Sequence, residues 1–323
     1  MQIFSKDKTY NFMGKSPVFL VLSVLLVLAS YAVLGMKGLN YGIDFSGGTL
    51  VQVKYDTAAP INDIRTKVTA EKLFKDASIT EFGSPEEIVI RFPSSTDEVG
   101  SDVGDKVRVQ LQGTGNFEIR RVDIVGPKVG GELREKGLMA MVVSIFAILL
   151  YIAFRFEWRF AIASVVALIH DISITMGALA FFEIDVNLDI LAALLTLLGY
   201  SLNDTIIVFD RIREGIKDST SYELFDIIDF SVSRTLSRTL LTSLTTFFVV
   251  LTLFSFGGEI IHGFGFTLLI GIVVGTYSSI FIASPTLRWL RFDVKSYKSK
   301  ETEKEKRRIE KEKMRSMYEK GVV

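Results

Sequence analysis

The 323-residue sequence contains no cysteine and only two histidines. The first absence rules out disulfide bracing and thiol redox chemistry. The second leaves little from which a metal site could be built, because no set of histidines and carboxylates has metal-ligand spacing. No Ser-His-Asp arrangement and no ATP-binding signature is present either. The chain therefore does not read as an enzyme, no cofactor is expected, and any work it performs must draw on energy from elsewhere. Net charge is also missing, with 37 Lys and Arg against 37 Asp and Glu. Nothing in that balance points to a nucleic-acid partner.

Apolar residues, by contrast, make up 49% of the chain and are gathered in blocks. A helix crossing ~30 Å of hydrocarbon needs roughly 20 mostly apolar residues. Six blocks meet that demand, at about Pro17 to Met36, Leu138 to Phe156, Phe160 to Phe182, Val186 to Phe209, Leu240 to Phe256 and Phe264 to Leu287. The first follows Lys6, Lys8 and Lys15 as a signal peptide would, but it is too long and lacks a small-x-small cleavage site. It is expected to stay as a signal anchor.

Lysine and arginine are absent from FFEIDVNLD and FGGEIIHGFG, whereas Arg155, Arg159, Arg211, Arg213, Lys217, Arg234 and Arg238 flank the alternate ends of the spans. Basic loops stay on the cytoplasmic side, so both termini are expected there. The expected organisation is a cytoplasmic N-terminus over residues 1–16, a first span over 17–36 and an outer domain over 37–134. A five-helix membrane region over 135–288 and a charged cytoplasmic tail over 289–323 follow. The tail mixes both signs at helical spacing, as a solvated helix does, and a docking function for it stays open.

Between the first two blocks the pattern changes to that of a soluble domain. TLVQVKY alternates like a strand, and Ile61, Ile64, Val68 and Phe74 recur at helical spacing. SITEFG and EEIVIRF read as strands around Ser84 and Pro85; Val99, Val103, Val107 and Leu111 predict a second helix, and NFEIRRVDIVG a last strand. The order is βαββαβ, a ferredoxin-like unit. The fold class expected is thus a multi-pass α-helical membrane protein of six spans with a small α+β domain between the first two.

YGIDFSGGT precedes that domain and VGPKVGG ends it. A phosphate loop would need a strand before its glycines and a helix after them, and here the order is reversed. Gly47 and Gly48 are expected to allow a tight corner, with Asp44 and Ser46 bonding nearby amides. Gly126 and Gly130 belong to the matching corner, and the two together predict the hinge on which the outer domain sits.

Two carboxylates fall where lipid or packed helices should be. Asp171 lies twelve residues beyond Arg159, roughly 18 Å along a helix, and Asp204 lies fifteen beyond Asp189, ~22 Å inward. Ionisable groups at that depth need a partner or a task. Asp204 has Ser201, Asn203 and Thr205 for company, and its burial among hydroxyls fits either a proton-exchanging site or mere helix glue. Arg238 could reach it from the fifth span or simply snorkel to headgroups. His170 beside Asp171 suggests a relay, but adjacent helical residues point about 100° apart, so a bond to a neighbouring helix is the reading preferred for it. In the last block Gly271 and Gly275 form a GxxxG face, for a contact within the chain or with another subunit.

Taken together, YGIDFSGGT, VGPKVGGEL, ALIHD, GYSLNDTIIVFDRIRE and TLSRTLLTS resemble the SecF branch of the SecD/SecF family, part of the RND superfamily. The resemblance covers nearly the whole chain except the tail. It implies six helices arranged as half of a proton-driven transporter, a SecD partner supplying the other half, and work beside SecYEG and YajC on unfolded polypeptide in the bacterial inner membrane. Protons would be the coupling ion, and the family's membrane acid and arginine fall on Asp204 and Arg238. One departure is Ser233, where the family commonly has asparagine. An RND-type exporter half and a translocon scaffold without coupling are the alternative functions.

Overall fold

A computed structural model describes residues 8–71, 74, 76–93, 103–219, 221 and 223–319. Helix α1 (Ser16–Lys37) starts with Pro17 in its first turn and stops at Gly38, whose positive φ of 74° ends the helical ladder. One turn, α2 (Ile43–Ser46), leads through Gly47 into strand β1 (Gly48–Tyr55). Helix α3 (Ile61–Thr69), strands β2 (Ser78–Phe82) and β3 (Ser84–Phe92), helix α4 (Val103–Gln110) and strand β4 (Phe117–Val125) complete the domain. Val99, placed in the second helix by its spacing, lies outside the described residues.

All three strand pairings are antiparallel, in the order β2-β3-β1-β4, which is the ferredoxin-like arrangement. Val51 pairs with Ile90 and Val53 with Ile88, so the apolar sets of β1 and β3 share one face. That face closes over Ile64, Val68, Val103, Val107 and Leu111 of the two helices, all fully buried. Tyr55 completes this core, its hydroxyl 2.8 Å from that of Thr114, and burial pushes the phenol pKa up. The β2–β3 turn is tighter than the sequence suggested. Gly83, with φ 76°, makes it alone, and Ser84 and Pro85 already belong to β3, where an irregularity in the ladder accommodates the proline.

Helix α5 (Pro127–Arg155) then returns, followed by α6 (Trp158–Phe181), α7 (Leu188–Asp218) and α8 (Leu224–Phe256). The last span runs from Glu259 to Trp289. It consists of α9 (Glu259–Ser278), one π-helical turn (Ser279–Ala283) and α10 (Ser284–Trp289). Pro285 explains the π turn: it has no N–H for an i−4 bond and its ring crowds that carbonyl. A charged helix, α11 (Val294–Glu319), follows.

Among the described residues, six helices are thus long and apolar enough to span a membrane. Helices α7 and α8, of 31 and 33 residues, exceed the ~30 Å of hydrocarbon and extend beyond it at the tail end. Helix α8 begins sixteen residues before the apolar block at Leu240, because an amphipathic turn around Ile227 and Ile228 packs into the tail-end core. Buried residues make up 61%, 50% and 56% of the apolar stretches of α6, α7 and the last span, against 11%, 11% and 17% of those of α1, α5 and α8. The first three therefore form the centre of the bundle. Small residues bring them close: a Cβ on Gly271 would overlap Leu197, and one on Gly275 would lie 3.0 Å from Ser201 Cβ. The GxxxG face is consumed inside the chain, against α7.

Candidate functional site: two buried carboxylates around the last span

The centre of the bundle holds Asp171 on α6 and Asp204 on α7, each 1% exposed. Their surroundings differ. Asp171 Oδ2 accepts from Ser201 Oγ of α7 at 2.5 Å and from Ser278 Oγ of α9 at 2.8 Å. Its Oδ1 lies 2.9 Å from Nδ1 of His170. Both oxygens are satisfied, and three helices are tied at one carboxylate. A charged group held by so many donors needs no further partner.

Asp204 is held on one side only. Its Oδ2 accepts from Ser243 Oγ of α8 at 2.9 Å, with Thr276 Oγ1 of α9 at 3.5 Å, and Thr276 Oγ1 is itself 2.8 Å from Ser243 Oγ. Oδ1 is buried and has no partner among the described residues. A buried carboxylate oxygen without a donor is the exception in a folded chain, and it leaves room for a proton that displaces no existing bond.

Several expected neighbours sit elsewhere. Ser201 serves Asp171 rather than Asp204, and Thr205 donates back to the Ser201 carbonyl at 3.2 Å. Asn203 is exposed. Arg238 is exposed too and makes no ion pair with Asp204. Ser243 faces the acid, and Arg238, five residues earlier, lies about 140° around the same helix, which turns its side chain outward. His170 bonds its neighbour Asp171. It stacks on Tyr277 with centroids 6.1 Å apart, and its Nε2 is buried without a partner among the described residues. Ser233 accepts from the Tyr10 amide at 2.8 Å and so fastens the N-terminal segment to α8.

Composition alone did not single out Ser243, Thr276 and Ser278. The signal was present as Thr235, Thr239 and Ser243, at i, i+4 and i+8, a hydroxyl stripe along one face of α8.

At the sheet end, the glycine corner is fastened to the bundle. Gly42 N donates to Val186 O at 2.9 Å, Val186 N to Asn40 O at 2.7 Å, and Asp44 Oδ2 accepts from Leu188 N at 3.0 Å. Asp44 thereby caps the first turn of α7 beside Asn187, whose Oδ1 takes the Ile190 amide. Gly47, at φ 72°, lies against α5: a Cβ there would be 2.7 Å from Pro127 Cα, and one on Gly130 would be 2.7 Å from Gly47 N. Gly48, at φ 137°, opens β1. Gly126 has an ordinary φ of −66°, and a Cβ placed on it would meet nothing within 4 Å, so its corner tolerates a side chain. Arg91 of β3 pairs with Asp185, and Lys37 with Glu183 at 2.6 Å, which holds that carboxyl below the usual range. Asp44→Ala removes the α7 cap and is expected to destabilise that first turn by about 1 kcal/mol. Faster hydrogen exchange at the Leu188 amide is the readout, and an unchanged rate would count against the cap.

Residues 106–293 match the family described as protein export membrane protein SecD/SecF, C-terminal, and residues 32–59 match the SecD/SecF GG motif. The chain belongs to the SecD/SecF family. The first match contains both carboxylates and every hydroxyl around them, and the second contains Gly47 and Gly48. Among its relatives, the protein translocase subunit SecF of Helicobacter pylori strain 26695 is 48% identical over 323 residues, all of both chains. The subunit of that name from Vibrio alginolyticus is 50% identical over 285 residues, 88% of this chain and 90% of that one. A crystal structure of SecDF from Thermus, a translocon-associated membrane protein, superposes with a TM-score of 0.82 at 33% identity over 90% of this chain. The chain corresponds to 40% of that longer SecDF polypeptide.

Proposed function

We propose that the chain is the SecF-type half of a proton-driven accessory to the Sec translocase, and that Asp204 is the group which takes up and releases the proton. The observation that carries the reading is the unpartnered, buried Oδ1 of Asp204 beside an Oδ2 held by hydroxyls alone. Membership in the family and names of the relatives support the export role. A SecD partner is supported by the Thermus chain, whose remaining length and joint name leave room for it. SecYEG, YajC, the exported polypeptide and the surrounding lipid complete the proposed assembly in the bacterial inner membrane.

In this reading both termini are cytoplasmic and the sheet domain is periplasmic. A proton entering from the periplasm neutralises Asp204, the helices around it shift, and Gly47–Gly48 passes the movement to β1. Arg238 supplies a charge on the outward face of α8, in line along the helix with exposed Val249. An exposed arginine in a span calls for a partner or a headgroup, and the SecD half is the partner proposed. Asp171, with His170, acts as the fixed neighbour. Transfer of one charge across 100 mV supplies ~2.3 kcal/mol, enough to bias a two-state element.

Export into vesicles that contain the chain and SecD is expected to slow when the proton gradient is collapsed after the ATP-driven stage. Vesicles without the pair are expected to show no such late sensitivity. Equal sensitivity in both preparations would contradict the reading.

A further inference from the structure

The hydroxyls around Asp204 each have more than one place to donate, and Thr276 reaches Asp204 Oδ2 itself only at 3.5 Å. Ser243 Oγ lies 2.9 Å from Asp204 Oδ2 on α7 and 2.9 Å from the Thr239 carbonyl of its own helix. Thr276 Oγ1 lies 2.8 Å from Ser243 Oγ on α8 and 2.8 Å from the Ile272 carbonyl of its own helix. A hydroxyl carries one proton, so each must choose. The distances do not decide the choice; the charge on the acceptor does.

We propose that Ser243 and Thr276 form a two-position hydroxyl switch which ties α7, α8 and α9 together while Asp204 is ionised and lets them part when it is protonated. The proposal rests on the reading of Asp204 given above. With the carboxylate ionised, the charge-assisted bond is roughly twice as strong as a neutral one, so Ser243 donates to Asp204 and Thr276 donates to Ser243. The chain of bonds then runs α9 to α8 to α7. A proton passed from water to the free Oδ1 displaces no hydrogen bond at Asp204, but it removes the charge. Each hydroxyl can then turn to its own i−4 carbonyl at no loss of distance, and the two interhelical bonds are given up.

Asp171 shows what the switch is not. Ser201 Oγ has that carboxylate as its acceptor, with no carbonyl alternative among the described residues, and His170 closes the other oxygen. Ser278, two residues beyond Thr276, also has a carbonyl of its own helix in reach, Gly275 O at 3.1 Å, but it lies closer to Asp171 Oδ2, at 2.8 Å, and ties α9 to this carboxylate. The π turn begins at the next residue and is where a change in the register of α9 can be absorbed. The other ionisable side chains of the packed helices are engaged or turned away. On α8, Arg234 and Arg238 are exposed; on α6, His170 and Asp171 bond each other; on α9, the Tyr277 hydroxyl donates to Phe19 O of α1 at 2.6 Å. Asp210, further along α7, lies by Arg155 and Arg213.

The absence of native cysteine makes the test direct. Val249→Cys and Val273→Cys, at exposed positions of α8 and α9, carry a pair of spin labels in the full chain in lipid nanodiscs. The interspin distance and the Asp204 carboxyl infrared band, identified by its absence in Asp204→Asn, are followed together across pH. The unaltered switch is expected to show a distance change that tracks the band. Ser243→Ala and Thr276→Val, both close in volume to the residues they replace, are expected to lose that distance change while the band still titrates. Ser243→Thr and Thr276→Ser are expected to restore it. A full distance change in both hydroxyl-free variants overturns the switch. A band that does not titrate in the parent overturns the Asp204 reading and the switch with it, and the infrared arm reports this separately.

Discussion

Asp204→Asn is expected to abolish the gradient-dependent part of export while leaving the chain as stable as before and still able to assemble with its partner. Asparagine keeps the shape of the side chain and puts its NH2 where an oxygen already lacked a partner, so stability should hold within about 1 kcal/mol, with Ser243 and Thr276 set as they are for the uncharged acid. What it loses is the capacity to hold a proton at Oδ1. Asp171→Asn is expected to do the reverse. The carboxylate meets Ser201, Ser278 and His170 through two oxygens; with a proton on His170 Nδ1, an amide offers one oxygen and sets its NH2 against a donor. Leaving a buried donor unpaired costs about 1–3 kcal/mol, so this variant should melt earlier and be recovered in lower yield. Export assays with and without the gradient, beside thermal melts of the same preparations, separate the two acids. Equal behaviour of both variants would remove the distinction between a titrating acid and a fixed one.

Gly47→Ala is expected to break the attachment of the sheet domain. At φ 72° an L side chain is strained, and the new Cβ would meet Pro127 Cα at 2.7 Å, backbone that has no rotamer through which to retreat. Strain and overlap of this kind each cost about 1–3 kcal/mol. Gly126→Ala, in the opposite connection, has an ordinary φ and open space around it, and is expected to be neutral or slightly stabilising. Limited proteolysis between the sheet and the bundle should therefore accelerate in the first variant and not in the second. Export should fall only in the first. If both tolerate alanine, the corner is not the mechanical link.

The fold was legible because its two halves use different periods. Alternation in TLVQVKY and EEIVIRF marks strands with one buried face, and unbroken apolar blocks mark spans, so neither could be mistaken for the other. Helix ends were less legible. Hydropathy sees only the stretch in lipid, and α8 continues to Leu224 because Ile227 and Ile228 pack beyond it in the tail-end core. At the site, the two acids stood out by their rarity among apolar neighbours. Their partners did not, because serine and threonine are common in membrane helices and become informative only when three helices bring them together. Proximity in sequence also misled: Ser201 is three residues from Asp204 yet donates to Asp171, thirty residues away. Arg238 shows the complementary limit, since depth permitted the pairing with Asp204 and helical phase forbade it.

The central claim is that one carboxyl inside the bundle gains and loses a proton. It is tested most directly by pH-difference infrared spectroscopy of the full chain in lipid, with Asp204→Asn as the reference. The expected result is a protonated-carboxyl band that grows as pH falls and is missing from the variant, while the Asp171 signal stays constant. Identical spectra for the two proteins across the whole pH range would contradict it.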